Sequence, residues 1–403
     1  MSTDTVGTSA KSLQALLDLP RYLVVHVERW AGWGQLRLVA RRAQFACPGC
    51  GRLCAGHPGR WRALRDLDIG RRHILLEVRI YRSGCQECGR LEIPVSLARS
   101  YARCTRRLEK YLFRLTGDAT VKAVANWMAL DWETVKDAEV RHIRGLLRKR
   151  DLNGIKRIGI DEVSYEKGHK YLTLVTDLDQ HRVIYVTHDN DSRAIGRFVK
   201  WFGPERCAKI KVAVTDMHDP YLKGLRRGLP KAAFVFDHFH VSKVVHEALD
   251  EIRRRLQREL SPADRRVIKG HRYVLLRARE RLTERQHVSL KELLAANTDL
   301  TAGYILKEAF RDVFEAENLR DGRKRMREWE RQVREGEVPE MLQVLDTIER
   351  RRSGIEAFFR YGASNGMAEG FNNVVGTIKK QAYGFHDRDY LRLKILRTCG
   401  KIE

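Results

Sequence analysis

Three acidic residues and four cysteines have the types and neighbours to do chemistry. Asp161 follows the apolar run "IKRIGI", Asp216 follows "KIKVAVT", and Glu369 sits within "SNGMAEGFNNVVGTIKK", residues 364–380. Two carboxylates brought side by side repel when both are ionised and need cations between them. Mg²⁺ or Mn²⁺ suits such oxygen donors, and a pair of ions can clamp the attacking and leaving oxygens of a phosphodiester displacement. The cysteines make a second set. "CPGCG" holds Cys47 and Cys50, and "CQECG" holds Cys85 and Cys88. Each C-x-x-C turn converges two thiolates, and the following glycine permits the tight backbone. Two such knuckles supply a tetrahedral Zn²⁺ site with no open position, which is a structural site; reduced structural thiols are the plainer alternative. Cys54 and His57 are spare ligands close by.

These residues need elements to hold them. Between the knuckles, "RALRDLDIG" and "RRHILLEVRIYR" read as strands, the second alternating apolar and basic, as in a zinc ribbon. After it, "TVKAVANWMALDWETVKDAEVRHIRGLLRKR" becomes helical and divides at "MALD". Asp131 is a plausible N-cap, with Val135 and Ala138 facing Val121, Val124 and Ala125 across a short turn. That is a helix-turn-helix pattern, whose second helix can enter a major groove. Lys136, Arg141 and Arg144 are then candidate DNA contacts. A purely structural helical pair is the plainer alternative.

From Ile155 the period changes again. "IKRIGIDEVS", "KYLTLVTDL" and "RVIYVTH" read as strands, "SRAIGRFVKWFG" as a helix, and "KIKVAVTDMHDPY" as a strand. "KGLRRGLP" is a helix and its stop, and "KAAFVFDHFHV" a last strand. This is the element order of an RNase H-like mixed sheet flanked by helices. In that order strands one and four are central neighbours, which sets Asp161 beside Asp216. A lone aspartate after a strand is usually a turn residue; the two together, with Glu369 downstream, point to a metal site. Asp219 is the competitor for the second position, in the first turn of the following helix. The stretch around Glu369 reads as a helix, with Ala368, Phe371, Val375 and Ile378 on a core stripe and Glu369, Asn372, Asn373 and Gly376 on another face.

The chain carries 77 Lys+Arg against 52 Asp+Glu, a net charge of +25 over 403 residues. Such an excess is the electrostatic footprint of a nucleic-acid partner. No apolar run is long enough to span a membrane, and "MSTDTVGTSAKSLQ" lacks the basic start and apolar middle of a secretory signal.

"GIDE", "VTDMHDPY", "DHFHV" and "SNGMAEGFNNVVGTIKK" together resemble the motifs of insertion-sequence transposases of the ISL-three type, DDE enzymes with an RNase H-like core. The resemblance covers nearly the whole chain, because that family also carries an N-terminal zinc ribbon and a helix-turn-helix. It implies Asp161, Asp216 and Glu369 as the catalytic triad and the Mg²⁺ ligands. Asp237 and His240 match a D-x-x-H motif, implied to position the site or DNA rather than to ligate metal directly. Asn372, Asn373, Lys379 and Lys380 would then meet phosphates or support the carboxylates. Between Asp237 and Glu369, a stretch rich in Arg, Lys, Glu and Leu has amphipathic spacing and is expected to be an all-helical insertion. Its most basic run, Leu319 to Met326, offers Arg323, Lys324 and Arg325 to DNA.

The expected organisation is a zinc-ribbon domain at 1–100, a helix-turn-helix at 101–150, and an RNase H-like core split between 151–240 and 361–403 by a helical insertion at 241–360. The expected function is a DNA transposase that binds the ends of its element, cuts them and joins them to target DNA. It would act as a homodimer or higher on DNA, in the bacterial cytoplasm at the nucleoid. A non-catalytic DNA-binding regulator descended from a transposase is the alternative, and a nuclease on the same core a third reading.

Overall fold

The computed structural model describes residues 17–166, 170–188, 192–217, 219–259, 270–295, 297–382 and 385–402. The opening stretch, unlike a signal in its sequence, lies outside them. Two compact units divide at residues 150 and 151.

The first unit holds a five-stranded sheet of β1 (Tyr22–Trp30), β2 (Trp33–Ala40), β3 (Gln44–Ala46), β4 (Leu53–Ile69) and β5 (Arg72–Ser83), in the order β1-β2-β5-β4-β3. In β5 every second residue, Ile74, Leu76, Val78 and Ile80, is buried, as the alternation requires of a strand with one covered face. Leu36 and Leu38 of β2 and Leu64 of β4 complete that core. The ribbon is therefore the end of a larger sheet, to which β1 and β2 add strands that the ribbon pattern does not announce. Three helices follow: α1 (Arg106–Asp118), α2 (Val121–Trp127) and α3 (Trp132–Lys149). Thr105, Thr120 and Asp131 cap them, each side chain accepting a backbone N–H three residues on. Val121, Val124, Ala125, Val135 and Ala138 are all buried, as their spacing predicts.

The second unit is built on β6 (Arg157–Glu166), β7 (Lys170–Asp177), β8 (Arg182–Thr187), β9 (Val212–Thr215) and β10 (Ala233–Phe236). Their order is β10-β9-β6-β7-β8. β6, β7 and β8 form an antiparallel meander; β9 and β10 run parallel to β6. One face is covered by α4 (Ser192–Phe202), α5 (Pro204–Cys207) and α6 (Asp219–Gly228), through Ile158, Ile160, Phe198 and Leu225. The long connection is helical among its described residues. It comprises α7 (His238–Glu259), α8 (Arg272–Leu276), α9 (Glu284–Ala295), α10 (Thr298–Val313), α11 (Leu319–Gly336) and α12 (Pro339–Tyr361). It has its own core around Leu249, Phe310, Trp329 and Ile348. Arg255 of α7 ties that layer together, reaching Glu340 at 2.7 Å and Asp299 at 2.9 Å. The chain then returns as α13 (Ala368–Gln381) against β6 and α14 (Arg388–Thr398) against β8.

Two local expectations need correction. β6 does not stop at Asp161 but runs on to Glu166, because β7 continues to pair with it after its bonding to β9 ends at Gly159. The helix that bears Glu369 begins at Ala368 rather than Ser364. Asn365 is buried, and its backbone oxygen accepts from the Ala368 N–H at 2.7 Å, so residues 364–367 form the entry turn.

Candidate functional site

Along β6, Ile158 and Ile160 point into the layer of α4 and α6, so Gly159 and Asp161 face the opposite side. β6 and β9 pair in parallel with Gly159 opposite Val214. Carrying that register on by two residues sets Asp161 level with Asp216, at the point where the two strands separate. Asp161 is 14% exposed and Asp216 half-buried. The covering layer on this side includes Ala363 and Met367, which pack with Val212 and Val214.

Gly159 permits that layer to approach. A Cβ there would lie 2.4 Å from Asn365 Oδ1 and 2.6 Å from Thr176 Oγ1. Asn365 Nδ2 donates to the Ile160 carbonyl at 3.4 Å, and so docks the entry of α13 onto β6. Further along, Asn372 Nδ2 donates to Asp161 Oδ2 at 3.0 Å, while Lys379 Nζ donates to the Ser164 carbonyl at 3.2 Å. Asn372 Oδ1 is buried without a hydrogen-bond partner. Glu369 is exposed in the first turn of α13, three residues before Asn372 and therefore on the same helix face. Ala368, Val375 and Ile378 are buried, Phe371 is half-buried, and Asn373 and Lys380 are exposed.

The other side of Asp161 is held by α7. Asp237, 4% exposed, begins that helix: its side chain accepts from the Phe239 N–H at 3.4 Å and its carbonyl from the His240 N–H at 3.0 Å. His240 Nε2 then lies 3.7 Å from Asp161 Oδ1. The neighbouring Asp161 carboxylate raises the imidazole pKa above its ordinary value, and the charges of Asp216 and Asp237 push the same way against burial. Tyr221 of α6 bonds Thr173 at 2.8 Å, and burial raises its phenol pKa, with Glu162 adding to the effect. Asp219, the competing acid, is 75% exposed and lies 2.6 Å from Arg351.

The structure thus brings Asp161, His240 and Asn372 together, with Asp237 at the start of the helix that bears His240, and the β6–β9 register, carried forward, sets Asp216 level with Asp161. It does not gather the three candidate carboxylates into a tight cluster. Among the described residues, the only set of three or more His, Cys, Asp or Glu ligand atoms all within 4.8 Å of one another is Cys47, Cys50, Cys85 and Cys88. Like charges favour such spacing. The donor set is nonetheless one of hard oxygens, with an unpartnered amide oxygen beside it, and this suits a divalent cation such as Mg²⁺ or Mn²⁺. Asn365 escapes a reading of the sequence, because its burial depends on a contact with β6 that no local pattern announces.

The cysteine site is built by repetition. Gly51 and Gly89 both take positive φ, +77° and +71°, and their N–H groups return to the carbonyls of Cys47 and Cys85 at 2.9 and 3.0 Å. Cys50 and Cys85 sulfurs lie 3.6 Å apart. A tetrahedral ion with Zn–S bonds of about 2.3 Å needs sulfurs about 3.8 Å apart. Backbone N–H groups of Cys50 and Gly49 hold the Cys47 thiol pKa below its ordinary value, at about 6. Cys54 instead bonds the Phe45 carbonyl and stands outside the set.

The candidate DNA contacts divide. Arg144 is exposed, and Lys136 lies 5.1 Å from the ring of Trp132. Arg141 is engaged: with Arg99 it grips Glu109, 2% exposed, Arg141 at 2.9 Å and Arg99 at 2.6 Å. In α11, Arg323 pairs with Glu356 at 2.6 Å and Arg325 with Asp321 at 2.9 Å, while Lys324 is exposed. Among the described residues, no helix is long and apolar enough to cross a membrane.

A strand-borne acid pair, a helix-borne glutamate, a cysteine ribbon and a helix-turn-helix on one basic chain describe a DNA-processing enzyme. Family comparison finds a zinc finger, a helix-turn-helix and a transposase domain, in that order along the chain. Residues 158–395 match a transposase model, 93–143 the helix-turn-helix domain of transposase family ISL3, and 43–88 the zinc finger of transposases IS204, IS1001, IS1096 and IS1165. The chain belongs to the ISL3 family of DDE-type DNA transposases. It is 32% identical to the transposase for insertion sequence element IS1001 of Bordetella parapertussis, over 87% of each chain. It is 29% identical to the transposase for IS1557 of Mycobacterium tuberculosis, over 88% of this chain and 86% of the relative. The zinc-finger match and the four converging thiols together support zinc at the ribbon.

Proposed function

We propose that Asp161, Asp216 and Glu369 are the carboxylates that hold Mg²⁺ or Mn²⁺ and that the β6–β10 sheet is an RNase H-like core. The observation that carries this reading is the parallel register of β6 and β9, which levels Asp161 with Asp216 under a helix bearing Glu369. Divalent ions bound there would neutralise charge on the scissile phosphate and its entering and leaving oxygens. The chain's own part is positioning. Asn372 and His240 fix the two oxygens of Asp161, and Asp237 caps the helix that carries His240. The α13 helix is docked by Asn365 and Lys379, which holds Glu369 on the same layer. Water attack would free a 3′-OH at the element's end, and that hydroxyl would attack target DNA in the same site. Neither step needs a covalent enzyme intermediate.

The division of labour follows the chain: a zinc ribbon at 1–100, a helix-turn-helix at 101–150, core segments at 151–240 and 361–403, and the helical insertion at 241–360. Lys136 and Arg144 on α3 would read the element's ends, with Arg141 bracing that helix. Asn373, Lys379, Lys380, Arg323, Lys324 and Arg325 would add phosphate contacts, for which Arg323 and Arg325 must first leave their carboxylates. Pairing two ends requires at least a dimer on DNA, and the work belongs in the bacterial cytoplasm at the nucleoid. A cleavage and strand-transfer assay on the element's own ends, with and without Mg²⁺, tests the reading. Metal-dependent cutting and joining supports it; cutting without joining makes the protein a nuclease, and binding alone a regulator.

A further inference from the structure

The ends of the strands away from the carboxylates carry a second feature. Lys156 and Lys211 immediately precede the parallel strands β6 and β9, and Lys231 lies two residues before β10. Backbone bonds set these strand starts side by side: the Lys211 N–H donates to the Lys156 carbonyl and the Ala233 N–H to the Lys211 carbonyl, both at 2.8 Å. With Lys209 they rim a concavity of about 320 Å³, whose remaining lining is Gly154, Ile155, Ala208 and Ile210. All four lysines are exposed, and Ile155 and Ile210 are buried. No carboxylate lines the concavity, and among the described residues none of the four lysines is ion-paired.

That sets it apart from the helical layer, where Arg255, Arg311, Arg323 and Arg331 already face carboxylates. A cation without a protein counter-ion carries small ions from solution. It releases the phosphate's condensed counter-ions on binding a polyanion, and this gives affinity with strong salt dependence. Lysine ammoniums on flexible stems follow a phosphate track without fixed geometry. The lining side chains other than lysine are apolar or absent, so none of them can read a base edge.

We propose that this lysine-rimmed edge is a second, sequence-independent contact for the phosphate backbone of duplex DNA. It lies five residues of strand, roughly 16 Å, from the level of Asp161 and Asp216. One molecule could therefore engage duplex at both ends of the same strands. The proposal does not depend on the carboxylate assignment, because it rests only on the strand starts and the lysines that rim them.

Amine acylation of the full chain, read residue by residue by mass spectrometry, tests it. With a duplex of scrambled sequence, Lys156, Lys209, Lys211 and Lys231 should be protected together, and protection should fade as salt is raised. Inorganic phosphate or a nucleoside monophosphate at millimolar concentration should not reproduce it. Changing all four to glutamine should weaken binding to scrambled and specific duplexes alike. The salt slope should flatten by about 0.9 for each phosphate that the protein no longer neutralises. Equal labelling with and without duplex overturns the proposal. Protection by the small anion but not by duplex also overturns it and makes the concavity a small-anion pocket.

Discussion

The cysteine site and the proposed carboxylate site draw their like-charged ligands from very different stretches of chain. Each cysteine pair is gathered by one turn, and the hairpin of β4 and β5 brings the two turns into contact. The four sulfurs fall within 4.8 Å of one another. The carboxylates depend on strand order, on a parallel register, and on a helix that returns only after the whole helical insertion. They are aligned rather than clustered. Local turns can hold a ligand set by their own hydrogen bonds, whereas a set assembled from distant segments relies on packing at every junction between them.

The comparison breaks most visibly at the ribbon. Cys85→Ser should remove the zinc and unfold that end of the first unit, because metal binding supplies much of the folding free energy of such sites. Metal analysis and protease sensitivity check this; full zinc retention would move the fourth ligand to Cys54 or His57. The carboxylate site should instead fail at a junction. Gly159→Ala puts a Cβ against Asn365 and Thr176, at 2.4 and 2.6 Å. It should cost about 1–3 kcal/mol, seen as a lower unfolding midpoint, with loss of cleavage as α13 lifts from β6. Asn372→Ala sharpens the contrast further. It leaves the fold intact but frees one oxygen of Asp161, so the Mg²⁺ concentration giving half-maximal cleavage should rise about 10–100-fold, with the rate recovering at saturating metal. A reduced rate at every metal concentration would make Asn372 a DNA-binding residue instead.

Sequence legibility followed the same division. The knuckles could be read because each ligand pair and its glycine are neighbours in the chain. The helix-turn-helix could be read because Asp131 caps locally and its apolar residues repeat at helical spacing. The strands of the second unit are legible as apolar runs. What stayed hidden was tertiary. The sequence leaves Arg141 free to meet DNA, but Glu109, its buried partner, lies on α1. Arg323 looked equally free, but Glu356 on α12 faces it. Asp161 reads as a strand end, but only the β9 pairing stops nearby, at Gly159, while β7 holds the strand to Glu166. The burial of Asn365 beside Gly159 was similarly invisible.

The central claim is that Asp161, Asp216 and Glu369 act as one catalytic set. Its most direct test is cleavage of the element's ends by Asp161→Asn, Asp216→Asn, Glu369→Gln and Asp219→Asn proteins, with end binding measured in parallel. The first three should bind ends but not cut them in Mg²⁺ or Mn²⁺, while Asp219→Asn should cut normally. Normal cutting by Asp216→Asn together with an inactive Asp219→Asn would contradict it and move the second carboxylate to the first turn of α6.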